Sequence, residues 1–224
     1  MAAPRASIVF DFDGTLVDSA RGILNALQAV LEKHAITPKM GLHREIIGPP
    51  LMQTLQYVSG LSDPSALSVL AADFKHAYDG DGYLDTDPFP GIEAALGALQ
   101  QAGLELHVAT NKRGTPTRKV LDHLGWRGYF KSVYCLDECS GCHDKAAMIA
   151  RLLTEQGLAA SHSLYIGDTP ADASAAAANA LPFLAVAWGY GSHWKDGIRI
   201  CRAPAQLATH VITALGMDAS CHAS

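Results

Sequence analysis

Apolar and polar residues follow two different rhythms along this chain. Residues 8–10 form an apolar run that ends in a carboxylate and a glycine, which is typical of a buried strand that stops at a turn. Residues 19–87 have apolar positions at helical spacing and no convincing strand. From Pro90 onward, helical and strand-like segments alternate. This alternation predicts a parallel sheet whose strands are joined by right-handed helical crossovers.

The alternating part of the chain predicts four further strands and five helices. The strands are expected at residues 104–109, 132–135, 163–166 and 183–186. The helices are expected at residues 92–101, at 115–124 with Pro116 in the first position, between Asp144 and Gly157, in an alanine-rich segment through Asn179, and at 207–215. Residues 218–224 are predicted to be an unstructured tail.

The helical segment interrupts the sheet after its first strand. We therefore predict a doubly wound (Rossmann-like) parallel α/β core, residues 1–18 and 88–224, with an inserted α-helical cap, residues 19–87. Asp18 or Ser19 can cap the first helix of the insert. The acidic turns of residues 79–91 lack the spacing of an EF-hand calcium loop, and we interpret them as the return to the core.

Composition and charge exclude several classes of protein. The chain has 224 residues, of which 49% are apolar and 17% charged, so it can bury a substantial core. A net charge of −5 without a cluster of basic residues argues against a nucleic-acid surface. No apolar stretch reaches about 18 residues, which excludes a membrane helix. With no signal-peptide pattern at the first residues and an odd number of cysteines, 5, we expect a reducing, cytoplasmic location.

Polar residues that could carry chemistry follow the carboxyl ends of predicted strands. They are Asp11 and Asp13, Thr110, Lys145, and Asp168 with Asp172. Each has an ordinary explanation when taken alone, since a D-x-D turn can be solvated or clip a metal, and the others can cap helices or lie on the surface. Because the carboxyl ends of parallel strands meet at one edge of a sheet, we expect the whole set to converge there.

The stretch Asp-Phe-Asp-Gly-Thr-Leu-Val-Asp-Ser at residues 11–19 resembles the first motif of the haloacid dehalogenase superfamily of phosphohydrolases. The later polar residues match the other motifs of that superfamily in sequence order, and the resemblance covers nearly the whole chain. Within the superfamily, residues 44–51 and the Trp-Gly-Tyr-Gly at 188–191 look like the phosphoglycolate phosphatase group. Related sugar-phosphate and nucleotide phosphatases share versions of both segments.

The resemblance implies a phosphatase that forms an aspartyl-phosphate. Asp11 would be the nucleophile, and Asp13 would protonate the leaving oxygen and then accept a proton from water. A neighbouring carboxylate would make a protonated Asp13 plausible. Thr110 would bind a phosphoryl oxygen, and Lys145 would neutralise charge.

The resemblance also implies a bound Mg²⁺ ion. The Asp11 carboxylate, the Asp13 backbone carbonyl and Asp168 would hold the ion, because Mg²⁺ prefers oxygen ligands. Asp172 would bind it through water or orient Lys145. These roles come from the family, whereas the residue spacing indicates only that the groups can converge.

Substrate-binding residues are expected in the cap and beside the second motif. Arg44 is the cap candidate, because a guanidinium binds carboxylates in a fork, although a surface arginine is an equal alternative. Asn111 and Lys112 lie next to the site in sequence, and Thr15 could support the nucleophile loop.

The function predicted first is hydrolysis of a small phosphate monoester similar to phosphoglycolate. The partner would thus be a small phosphorylated metabolite, and the protein a monomer or homodimer. A nucleoside monophosphate or sugar phosphate phosphatase, a phosphomutase, and a binding or regulatory protein without turnover are the alternatives.

A Cys-x-x-Cys-His motif at residues 139–143 stands apart from this interpretation. The spacing is that of c-type haem attachment, and with Cys135 it could also bind zinc. Its single copy, and the lack of a second ligand pair at zinc-finger spacing, favour a loop whose cysteines have no assigned role.

Overall fold

The computed structural model describes residues 6–191 and 194–216. Their strands are β1 (Ser7–Phe10), β2 (Val17–Asp18), β3 (Asp87–Pro88), β4 (Glu105–Thr110), β5 (Ser132–Cys135), β6 (Ser163–Gly167), β7 (Phe183–Val186) and β8 (Ile200–Cys201). Their α-helices are α1 (Ala20–Lys33), α2 (Leu51–Ser59), α3 (Pro64–Gly80), α4 (Ile92–Gln101), α5 (Gly114–His123), α6 (Lys145–Gln156), α7 (Pro170–Ala178) and α8 (Leu207–Ala214).

A six-stranded parallel sheet forms the core, in the order β5-β4-β1-β6-β7-β8. β1 lies between β4 and β6, and every residue of β1 is buried. Helices cover both faces of the sheet, so neither face reaches water, and after Ser7 the strand is a continuous apolar run of Ile8, Val9 and Phe10. The predicted doubly wound α/β fold is therefore confirmed.

The inserted segment has a hydrophobic cluster of its own. Helices α1, α2 and α3 contribute buried side chains that include Leu27, Leu55, Val58 and Leu70. β2 and β3 pair antiparallel where the chain leaves the sheet and returns to it. The division into a core and a cap at residues 18/19 and 87/88 stays a prediction, and the β2–β3 pair lies at these two points.

Several local details differ from the sequence-based expectations. β8 was not predicted, because a two-residue strand has no readable period. Helix α5 begins at Gly114, two residues before the proline that was expected to start it. Asp144 and Gly157 cap α6 as predicted, with Asp144 Oδ1 accepting a hydrogen bond from the backbone N–H of Ala147.

The cysteines also depart from the expectation. Cys139 and Cys142 form a disulfide, with their Cα atoms 5.4 Å apart, whereas the composition favoured free thiols. Cys135 and Cys201 are free and buried. The predicted tail, residues 218–224, lies outside the described residues. None of the helices described here combines the length and apolar character needed to cross a membrane.

Candidate active site

The carboxyl ends of three adjacent strands bring the predicted site residues together. Asp11 follows β1, Thr110 ends β4 on one side of it, and Asp168 follows β6 on the other. All three side chains are buried. Each of these strands is buried immediately before its polar residue, so the strand ends place the three polar side chains at one edge of the sheet.

Lys145 links two carboxylates beneath this edge. Its Nζ lies 2.9 Å from Asp11 Oδ1 and donates a hydrogen bond to Asp172 Oδ1 at 2.6 Å. All three side chains are almost completely buried. Burial alone would lower the pKa of Lys145, but Asp11 and Asp172 outweigh that effect and raise it, so the ammonium group stays charged.

The pKa of Asp11 is raised. Burial is the main cause, Lys145 opposes it, and the nearby charges of Asp172 and Asp168 add to it. Asp11 Oδ1 is paired with the Lys145 ammonium group, but it accepts no aligned hydrogen bond from the described residues. The carboxylate therefore keeps the capacity to bind a metal ion or a reacting atom.

Asp168 is held by two donors and surrounded by glycines. Its Oδ1 accepts a hydrogen bond from Thr15 Oγ1 at 3.1 Å, and its Oδ2 accepts one from the Tyr190 N–H at 2.7 Å. A Cβ placed on Gly14 or Gly189 would overlap atoms of Asp168. Thr15 thus supports the acidic loop. Close approach to Asp168 requires glycine at both positions, and Gly14 also has a positive φ of 84°.

Three carboxylates could share a metal ion. One oxygen each from Asp11, Asp168 and Asp172 lies within 4.8 Å of the others. Of the three, Asp172 accepts the most hydrogen bonds from the protein. Its Oδ1 accepts one from Lys145, and its Oδ2 accepts one each from the backbone N–H and the hydroxyl group of Thr169. Buried, all-oxygen ligand sets of this kind suit Mg²⁺.

Asp13 lies on the opposite side of the site, toward the cap. Its Oδ1 accepts hydrogen bonds from Ser19 Oγ at 2.6 Å and from Lys112 Nζ at 2.9 Å. The charged partner of Asp13 is thus a lysine and not the neighbouring carboxylate that the sequence suggested, because the side chains on either side of Phe12 point to different partners.

A small cavity lies between Asp13 and the cap. Its volume is about 70 Å³. The lining includes Asp11, Asp13, Thr110, Asn111 and Lys112 from the sheet edge, and Ile23, Leu27, Leu51, Phe74 and Tyr78 from the three cap helices. The catalytic candidates and the cap therefore face the same space.

The predicted substrate-binding residues have different positions. Lys112 and Asn111 line the cavity, and Asn111 Nδ2 donates a hydrogen bond to the backbone oxygen of Gly48 at 2.8 Å. Arg44 does not line it. The Arg44 side chain is 47% exposed, and its Nη2 lies 3.3 Å from Asp18 Oδ2. The structure thus favours the alternative of a surface arginine.

Four contributors to the site were not identified from the sequence. Ser19 was expected only to cap a helix, and Tyr78 was not singled out. Gly189 and Tyr190 belong to the Trp-Gly-Tyr-Gly segment, which the family resemblance highlighted without giving it a role. The family resemblance of that segment could have identified Gly189 and Tyr190. No feature of the local sequence pattern distinguishes Tyr78 from other buried residues of the cap helices.

A family model of haloacid dehalogenase-like hydrolases matches residues 8–186. The chain belongs to this family. The match includes every catalytic and metal-binding candidate named above. It confirms the predicted superfamily and the prediction that the protein is a hydrolase.

Two similar proteins indicate which kind of hydrolase the chain resembles. The chain is 33% identical over 194 residues to a 5'-nucleotidase of Pseudomonas aeruginosa, covering 86% of each protein. It is 31% identical over 196 residues to a phosphoglycolate phosphatase of Rhodospirillum rubrum, covering 84% of the chain and 81% of the relative. The phosphatase names of these relatives support the prediction of a phosphoric monoester hydrolase.

Two further similarities concern a kinase and a solved structure. The chain is 31% identical over 185 residues to the tyrosine-protein kinase PtkA of Mycobacterium tuberculosis, covering 82% of the chain but 62% of that relative. A crystal structure of a predicted phosphatase from Clostridium acetobutylicum superposes with a TM-score of 0.85 at 25% identity, covering 94% of the chain and 100% of that structure.

Proposed function

We propose that the protein is a Mg²⁺-dependent phosphatase that hydrolyses a small phosphate monoester, similar to phosphoglycolate, through an aspartyl-phosphate. One observation carries the proposal. Asp11 is buried beside Lys145 and the acidic cluster, and it faces a cavity that Asp13 and Thr110 also line. A nucleophile, a proton donor and a cation are thereby within reach of one bound phosphoryl group.

The proposed reaction has two steps. In the first, an oxygen of Asp11 bonds to phosphorus while the bond between phosphorus and the leaving oxygen breaks, and Asp13 donates a proton to that oxygen. In the second, water attacks phosphorus and gives a proton to Asp13 while the bond to Asp11 breaks. Alcohol and inorganic phosphate are released, and both carboxyl groups return to their starting states.

The donor set fits a divalent cation. Asp11 and Asp168, together with the Asp13 backbone carbonyl, would hold Mg²⁺, and Asp172 would orient Lys145 while contacting the ion through water. The three carboxylate oxygens of Asp11, Asp168 and Asp172, which lie within 4.8 Å of one another, support this assignment. When bound, Mg²⁺ would supply positive charge to the phosphoryl oxygens. Thr110 would hydrogen-bond one of those oxygens, and Lys145 would neutralise charge on Asp11.

The small cavity supports a short organic group. Its volume is about 70 Å³, and it lies between the catalytic candidates and apolar side chains of the cap. A larger cleft of about 790 Å³, whose lining includes Asn111 and Lys145, lies at the same edge of the sheet and has room for a bulkier group. Phosphoglycolate is the first candidate because of the small cavity and the similarity to phosphoglycolate phosphatases, and a nucleoside monophosphate, which the name of one relative suggests, is the alternative.

Phosphate release from a substrate panel tests this proposal. Phosphoglycolate, a nucleoside monophosphate and a hexose phosphate are compared with Mg²⁺ and with EDTA. We expect turnover that depends on Mg²⁺ and is fastest for phosphoglycolate. Equal rates across the panel would contradict the proposed substrate, and release from none of the esters would instead favour a binding or regulatory protein.

A further inference from the structure

Lys112 is a buried cation with partners on both sides of the cavity. Its side chain is 4% exposed. On the core side, Nζ donates hydrogen bonds to both oxygens of Asp13, at 2.9 and 3.2 Å. On the cap side, Nζ donates to the hydroxyl oxygen of Tyr78 at 2.8 Å and lies 4.6 Å from the centre of that ring. A buried ammonium group needs such partners, because desolvation is costly.

Tyr78 is itself held firmly in the last turns of α3. Its ring is 2% exposed and stacks on Phe74, with 5.5 Å between ring centres. The next residue, Asp79, receives the guanidinium of Arg113, with Arg113 Nη1 2.8 Å from Asp79 Oδ2. Lys119 contacts the backbone oxygen of Asp79. This end of the cap therefore contacts the loop and helix that follow β4 through three pairs: Tyr78 with Lys112, Asp79 with Arg113, and the Asp79 backbone with Lys119.

We propose that Tyr78 is a positioning residue of the active site, which acts through Lys112 to hold the Asp13 carboxyl group against the leaving oxygen of the substrate. The inference rests on the proposed function, because it assigns Tyr78 to the proton-transfer half of that reaction. It means that the cap completes the catalytic geometry in addition to enclosing the substrate. The proposed effect on Asp13 depends on the hydroxyl group of Tyr78, which accepts the hydrogen bond from Lys112, whereas the ring contributes to packing.

Packing makes a different prediction from positioning. If Tyr78 only fills space, loss of its hydroxyl group should affect all substrates alike. If it positions Asp13 through Lys112, the loss should depend on how much the leaving group needs a proton. An alkoxide leaving group needs general acid catalysis, whereas the acetate released from acetyl phosphate is stable without it.

The test compares Tyr78→Phe with the wild type on two substrates that have two-carbon organic groups, the ester phosphoglycolate and the acyl phosphate acetyl phosphate. The parameter is kcat/KM, which covers phosphoryl transfer to Asp11 and departure of the leaving group. We expect about a tenfold loss with phosphoglycolate and less than about a twofold change with acetyl phosphate. Equal losses on both substrates, or no loss on either, would overturn the inference.

A matched control and a double variant complete the design. Tyr83→Phe removes a hydroxyl group from another cap tyrosine, whose ring lies 5.0 Å below the Lys119 ammonium group, and it should leave both rates within about twofold. In a Lys112→Met background, Tyr78→Phe should cause no further loss, because Tyr78 acts through Lys112. Additive losses would overturn the inference. Melting temperatures verify that each variant is folded.

The outcomes separate the two proposals. A wild-type protein that releases phosphate from neither substrate contradicts the proposed function, and the role of Tyr78 is rejected with it. A wild type that turns over both substrates, together with a Tyr78→Phe variant of unchanged selectivity, contradicts only the role of Tyr78.

Discussion

Two lysines at the same edge of the sheet have different surroundings. Lys145 is buried between Asp11 and Asp172, which both belong to the sheet side of the molecule. Lys112 is buried between Asp13 of the core and Tyr78 of the cap. The half of the site that would receive the phosphoryl group is thus built by residues of the α/β core, from β1, α6 and α7, whereas the half that would receive the leaving group needs the cap as well.

The largest effect should come from the sheet-side half. Asp11→Asn removes the proposed nucleophile, and we expect turnover to fall by about 10⁴-fold or more. The fold should persist, because burial already disfavours the charged form of Asp11. Phosphate release and thermal melting measure the two properties. Asp122→Asn, at an exposed carboxylate paired with Arg127, is the control, and near-normal turnover of Asp11→Asn would reject the nucleophile.

The next effect concerns stability and distinguishes the two lysines. Lys145→Met leaves Asp11 and Asp172 buried without their cation, which should cost about 3–5 kcal/mol of the free energy of unfolding. Lys112→Met should cost less, since Asp13 keeps Ser19 and is the more exposed carboxylate, at 11%. Urea denaturation of both variants gives the comparison. A larger loss for Lys112→Met would contradict the expectation that Lys145 contributes more to stability.

A smaller effect is expected where the insert packs against itself. A Cβ at Gly22 in α1 would overlap the backbone oxygen of Gly82, so Gly22→Ala should destabilise the protein by about 1–3 kcal/mol. Gly97 in α4 has open space around it, and Gly97→Ala should stabilise by about 0.5–1 kcal/mol. A lower melting temperature for Gly22→Ala and a higher one for Gly97→Ala would support the difference in packing around the two glycines. Shifts of the same sign would contradict it.

The smallest effect is expected at Arg44. The exposed pair with Asp18 should contribute less than about 1 kcal/mol, and Arg44→Ala should leave KM for phosphoglycolate within about twofold. Steady-state kinetics and urea denaturation measure the two effects. If KM instead rises strongly for phosphoglycolate and not for ethyl phosphate, Arg44 binds the carboxylate and the original expectation from the sequence is correct.

The acidic edge of the sheet was predictable because its signals are local. Strands were predicted at residues 8–10, 104–109 and 163–166, and the structure has strands there with Asp11, Thr110 and Asp168 at their ends. Parallel strands must place such ends along one edge, so the alternation of helices and strands was sufficient. β8 was missed for the same reason, since two residues are too few for a pattern to be recognised.

The sequence by itself therefore determined the α/β alternation, the family motifs and the carboxylates at the strand ends. The family motifs also suggested Lys145 as the cation beside Asp11 and Asp172, whereas only the tertiary structure decided that Asp13 pairs with Lys112. Lys112 is separated by 99 positions from Asp13 and by 34 from Tyr78, and these contacts depend on how the cap helices pack against the sheet. Local periodicity shows which face of a helix is buried, but it contains no information about the distance and angle between two packed elements.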